Sequence, residues 1–275
     1  MQLIEVAPDV SLAVWRSGPD DGLPYLLVHG LASNAHLWDG VARELAATGH
    51  PVAAVDLRGH GRSSKPSGGY SVDQVAADLV PLLDALGFDE VVLAGQSYGA
   101  IVVLELARLL GPRVRGVVCV DGGHLDLQAR WPVWEECAQL LAPPRTAGTA
   151  LSAVQGWIAD AHPDWPAEGI AGALACFEVR DDGTVAPWLS FDNHLQVLRG
   201  LWECDTSALR RAVTQHVVLL TAHDGQGTER GDLDAAAAEL PDGELVLMVG
   251  DHDLHAQHPV AVAQVLLGSP ATRLG

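Results

Sequence analysis

Val91-Val92-Leu93-Ala94-Gly95-Gln96-Ser97-Tyr98-Gly99, with the apolar segment 101–110 behind it, decides the fold. Four apolar residues closed by a glycine read as a short buried strand, and apolar positions three and four apart beyond Tyr98 read as a helix. The serine falls on the turn between them. A sharp strand-to-helix turn needs small residues two positions either side, because a side chain at Gly95 or Gly99 would collide with adjacent backbone. Such a turn lifts the Ser97 hydroxyl out of the sheet. The helix that starts there points its free N–H groups at the same spot, which suits an anion forming beside the serine.

Working outward, further apolar runs end in turn residues at 25–29, 52–56, 114–120, 217–220 and 245–249. Helical patterns at 37–47, 71–86, 98–110, 232–240 and 259–267 separate them. This rhythm predicts an α/β fold with a mostly parallel, doubly wound sheet covered on both faces. Residues 3–6 and 12–16, joined by Pro8-Asp9, suit an opening antiparallel hairpin. The alternation breaks between residues 122 and 212, a stretch that holds six of the eight tryptophans. It predicts an inserted, mainly helical cap at 122–212 on a core formed by 1–121 and 213–275.

Composition excludes several function classes. Hydrophobic residues make up 48% and charged residues 19% of the 275, so a large core is available and disorder is not expected. Asp plus Glu number 35 against 16 Lys plus Arg, a net charge of −19. That surface repels nucleic acid and anionic lipid, and no basic cluster in the sequence offsets it. The expected partner is a small-molecule substrate, for a monomer or homodimer. Lys65 is the only lysine, so a Schiff-base mechanism would depend on that residue. The opening residues carry Glu5 and Asp9 and no basic segment ahead of an apolar run, so neither a secretory signal nor a membrane span is expected, and a cytoplasmic location is. Cys119, Cys137, Cys176 and Cys204 are far apart and expected to be free thiols.

With the elbow at Gly95–Gly99 and the strand rhythm around it, the chain resembles the α/β-hydrolase fold family, most specifically over residues 24–120. The resemblance places an oxyanion loop at His29-Gly30-Leu31-Ala32, with the amides of Leu31 and Tyr98 as its two donors. His29 is expected to brace that loop. The single glycine after His29 departs from the Gly-rich variant associated with lipases. Asp56-Leu57-Arg58-Gly59-His60-Gly61-Arg62-Ser63 resembles a signature loop of the family and reads as a hydrogen-bonded scaffold, with Arg58 or Arg62 as a substrate clamp the alternative.

A serine hydroxyl needs a base, usually a histidine oriented by a carboxylate. Among 12 histidines, His252 stands closest to the family's histidine loop, with His255 and His258 as competitors. Asp251 stands where the family more often has glycine. The order implied by the resemblance is Ser97, Asp224, His252, with Asp121 at the end of an earlier strand as the alternative acid. A serine at 97 argues against the epoxide-hydrolase and dehalogenase chemistry that the family performs with a carboxylate nucleophile.

No cofactor motif is present, and no metal is expected. His255 and His258 could share a zinc ion only on a helix, and Pro259 places the helix start after them. The expected function is a cofactor-independent serine hydrolase, carboxylesterase-like or lactonase-like, that cleaves an ester, thioester or lactone through an acyl-enzyme. C–C bond or amide hydrolysis on the same triad, and ligand binding without turnover, are the alternatives. Trp131, Trp134 and Trp157 are the expected substrate-binding residues. They predict a small, uncharged substrate with an apolar acyl or ring portion.

Overall fold

The computed structural model describes residues 1–223 and 230–268. The chain opens with the expected hairpin, β1 (Gln2–Ala7) and β2 (Val10–Ser17), paired antiparallel. Strands and helices then alternate: β3 (Tyr25–Val28), α1 (Asp39–Ala47), β4 (Val52–Asp56), α2 (Val72–Leu86), β5 (Val91–Gln96), α3 (Tyr98–Leu110) and β6 (Val114–Val120). The sheet runs β1-β2-β4-β3-β5-β6 and gains two more strands at the β6 edge from the end of the chain. From β4 onward the neighbours are parallel.

In the central strands β3 to β6 both faces are buried, and the pleat sorts each strand between them. Leu26, Val28, Ala53 and Val55 pack with residues of α2 and α3, whereas Tyr25, Leu27, Val52 and Ala54 pack with α1. Successive side chains point to opposite faces. A strand with two buried faces therefore reads as an unbroken apolar run, as these do. α2 ends on Gly87 at φ 72°, the left-handed backbone that releases a helix into the next strand.

The segment between β6 and the next core strand is mainly helical. It carries α4 (Leu127–Arg130), α5 (Trp134–Leu140), α6 (Leu151–Ala161), α7 (Ala167–Leu174), a small hairpin of β7 (Phe177–Val179) and β8 (Val185–Pro187), then α8 (Phe191–Trp202) and α9 (Thr206–Ala212). The core resumes with β9 (Val217–His223), α10 (Arg230–Ala238), β10 (Gly243–Val249), α11 (Leu254–Gln257) and α12 (Pro259–Gly268). α12 packs beside α1, where Val262 and Leu266 join its core. The short helix α11 corrects one expectation. Residues before Pro259 form a helical turn after all, and it ends at His258, whose backbone leaves the α region (φ −127°, ψ 56°), as the proline favours. Among the described residues no helix is long and apolar enough to cross a membrane.

The strand order fixes where a site can form. β3 lies between β4 and β5, so the loops leaving β3 and β5 diverge to opposite sides and open a crevice at the carboxyl ends of the strands. The loop 29–32 and Ser97 stand at that crevice.

Candidate active site

Ser97 joins β5 to α3 with φ 53° and ψ −115°, a conformation that costs a non-glycine residue of order 1–3 kcal/mol. The crowding anticipated from the sequence is present. A Cβ on Gly95 would fall onto the carbonyl of Gly99, and one on Gly99 would stand 2.5 Å from the carbonyl oxygens of Val28 and His29. Glycine at both positions lets β3 and α3 close around the turn. Tyr98 is the first residue of α3, so its N–H has no intrahelical acceptor.

Two neutral histidines hold the opposite loop. His29 accepts a hydrogen bond at Nε2 from Leu57 N–H (3.0 Å), so its Nδ1–H donates to the Gly30 carbonyl (2.7 Å). Burial pushes its pKa down to about 4, against the smaller opposing effect of that carbonyl. His60 is pushed down to about 3 by burial and by His29; its Nδ1–H donates to Arg58 O and its Nε2 accepts from Ala32 N–H at 3.4 Å. The loop that carries Leu31 is thus tied down on both sides, and His29 has the bracing contacts expected of it. Asp56 completes the scaffold by accepting from Ala35 N–H and Arg62 N–H. Arg58 is committed elsewhere, buried in a two-pronged pair with Asp78 at 2.5 Å.

His252 stands on the loop between β10 and α11. Its Nδ1 lies 2.5 Å from Asp121 Oδ2, and Asp121 leaves the end of β6 at φ 42°. The other oxygen, Oδ1, accepts from Ala222 N–H at 2.9 Å, and the Asp121 N–H donates to Leu220 O. The carboxylate is therefore aimed by the main chain of β9. That hydrogen bond raises the His252 pKa above its ordinary value, and burial opposes the rise. Asp224 lies outside the described residues.

A cavity of about 270 Å³ is lined by Ser97 and His252, with Leu31 at its edge. Residues of the inserted segment close it: His162, Trp165, Ala173, Cys176 and Phe177. The structure does not bring Trp131, Trp134 or Trp157 there. Trp134 packs edge-on against Trp202, Trp131 accepts from Trp202 through its carbonyl, and both lie in the insertion's own small core. Trp157 is 56% exposed and turned to solvent. Trp165, on the turn between α6 and α7, lines the cavity instead, and no local signal separates it from the others, since its place is set by packing against the distant histidine loop.

Sequence reasoning also missed two ties on the histidine loop. Gln96 donates from Nε2 to the His252 carbonyl (3.1 Å). Asp251 accepts from Trp165 Nε1–H at 2.7 Å and from Asp253 N–H at 2.9 Å. The residue that departs from the usual glycine thus links the histidine loop to the insertion.

Comparison with known proteins agrees with this fold. A family model described as alpha/beta hydrolase fold matches residues 24–145. The 2-(acetamidomethylene)succinate hydrolase of Mesorhizobium japonicum is 28% identical over 85% of this chain and 83% of its own. A non-heme chloroperoxidase of Streptomyces lividans is 43% identical over 38% of each chain. Among solved structures, E-2-(acetamidomethylene)succinate hydrolase superposes with a TM-score of 0.80 at 25% identity, covering 98% of this chain and 97% of that one. The thioesterase domain from the curacin biosynthetic pathway superposes with a TM-score of 0.79 at 20% identity, covering 97% of this chain and 98% of that one, and so shares the fold. With its strained serine turn, its sheet order and these relatives, the chain has the α/β-hydrolase fold.

Proposed function

We propose that the protein is a cofactor-independent serine hydrolase that cleaves an ester, thioester or lactone through an acyl-enzyme. One observation carries this reading: the strained Ser97 and His252 line the same cavity, and Asp121 holds Nδ1 of that histidine. With Nδ1–H directed at Asp121, Nε2 keeps its lone pair for the serine proton. Ser97 Oγ attacks the carbonyl carbon as His252 Nε2 takes the proton. The Leu31 and Tyr98 amides stabilise the tetrahedral oxyanion. Collapse expels the alcohol or thiol with the proton returned from His252 and leaves an acyl group on Ser97. Water, deprotonated by the same Nε2, then releases the acid.

In this reading Asp121 is the acid that orients His252, in place of the Asp224 expected from the sequence. Amide hydrolysis is the second reading, favoured by the relative from Mesorhizobium japonicum, whose name describes an acetamido compound. Labelling by a fluorophosphonate, followed by mass analysis of the labelled peptide, tests the nucleophile. Modification at Ser97, lost in His252→Ala, is expected; absence of labelling in the folded protein refutes the mechanism. Parallel assays on matched ester and amide substrates separate the two bond types.

A further inference from the structure

Most described cations of this acidic chain are paired with a carboxylate. Among the described residues Arg62, Lys65, Arg130, Arg145 and Arg180 are not, and all of these but Arg130 gather around one place. A second cavity of about 440 Å³ is lined by Arg145, Arg180, Trp188 and Phe191. The Arg145 guanidinium lies over the Phe191 ring at 4.3 Å. Arg62 and Lys65 stand over the Trp188 ring at 4.3 and 5.1 Å.

Stacking on a ring face engages the flat of a guanidinium and leaves its N–H edge free to receive a planar anion. Lys65 already donates to the carbonyls of Gly61 and Ser63, so it contributes charge more than a free donor. The nearby acids do not cancel this set. Asp182, which accepts from the N–H and hydroxyl of Thr184, acts on Arg180 through its field as Glu178 does on Lys65, but neither forms an ion pair, and Arg62 and Arg145 keep their charge.

This chamber adjoins the one that holds Ser97. Ala32, Ser33, Cys176 and Phe177 line both, so a single ligand can lie across the boundary. The walls are otherwise Pro143, Pro144, Leu189 and similar residues, which suit a short carbon chain between the reacting carbonyl and a charged end. A local cluster of cations can hold an anion against a net charge of the opposite sign, because the field falls off over about 10 Å in salt while the contacts do not.

We propose that the second cavity is an anion-binding subsite, with Arg145 and Arg180 as its ligands, that takes a carboxylate carried on the acyl portion of the substrate. The substrate is then a half-ester, or comparable half-derivative, of a dicarboxylic acid, which departs from the uncharged substrate expected from the tryptophan content. The inference rests on the acyl-enzyme reading for the chemistry, but the binding site can be tested without it.

The test compares mono-p-nitrophenyl adipate with its methyl ester, two substrates that differ in the terminal charge. At low salt, wild-type kcat/KM is expected to favour the carboxylate by about tenfold, an advantage that shrinks as salt rises. Arg145→Gln with Arg180→Gln should remove that advantage and leave the methyl ester within about twofold. Equal rates for the two substrates in wild type, or an equal fall for both in the double variant, overturns the subsite. Should neither ester turn over, the hydrolase reading fails by itself. Calorimetric binding of monomethyl adipate then decides the subsite: affinity about tenfold weaker in the double variant supports it, and unchanged affinity or no binding to wild type refutes it.

Discussion

Replacing Asp121 by Asn is the most informative single change, because the two oxygens of this carboxylate do different jobs. Oδ1 accepts from Ala222 N–H at 2.9 Å, a role an asparagine oxygen can keep, so the end of β6 should stay in place. Oδ2 faces His252 Nδ1 at 2.5 Å, and there the asparagine must present its NH2. A donor opposite Nδ1 selects the tautomer with the proton on Nε2, which leaves His252 without a lone pair for Ser97. Loss of the correct tautomer costs about ten-thousandfold in kcat, or about 5.5 kcal/mol of barrier. The assay is the initial rate of p-nitrophenyl ester hydrolysis across pH, with thermal unfolding measured alongside. A variant that stays folded and loses kcat by that order supports the assignment. If Asp121→Asn kept kcat within tenfold of wild type while Asp224→Asn lost it, the acid would be Asp224.

Other outcomes follow from the same contacts. Ser97→Ala should lower turnover by about a millionfold while the protein melts no lower, since alanine relieves none of the packing around the turn; residual activity above a few per cent would sink the serine mechanism. The Asp121 hydrogen bond holds the His252 pKa above 6.5, so the acid limb of kcat/KM should have its midpoint above pH 6.5, and Asp121→Asn should move that midpoint down. The stability that this raised pKa contributes is present below pH 6.5 and lost as pH climbs through the folded value, a trend readable by chemical denaturation at pH 6 and 9. Asp78→Asn should cost about 3–5 kcal/mol in the same denaturation assay, because it strands the buried Arg58 charge. Trp165→Phe removes the donor to Asp251 and should reduce kcat/KM by about three- to tenfold with little change in melting temperature; unchanged kinetics would show that this tie does not position the histidine loop.

What the sequence determined by itself was whatever depends on neighbours along the chain. Apolar runs at 25–29, 52–56 and 91–94 predicted strands, because a strand buried on both faces must be apolar at every position. The serine turn was legible because its crowding falls two residues either side of Ser97. The Pro8-Asp9 turn placed the opening hairpin for the same local reason, whereas the helical turn before Pro259 and the hairpin of β7 and β8 escaped, each being too short to carry a periodic signal.

Tertiary structure decided whatever depends on partners distant in sequence. Asp121 meets His252 across 131 positions, because the end of β6 and the loop after β10 converge beyond β9. The family resemblance favoured Asp224, residue order fits either aspartate, and no local feature marks which strand end reaches the imidazole. The tryptophans separated in the same way: Trp134 and Trp202 satisfied each other inside the insertion, while Trp165 turned to the cavity. A chain with net charge −19 gives no hint of a basic pocket, since Arg62, Arg145 and Arg180 are scattered along it. They become neighbours only when the β7–β8 hairpin and the start of α8 fold against the loop after β4, and charge is felt through space rather than along the backbone.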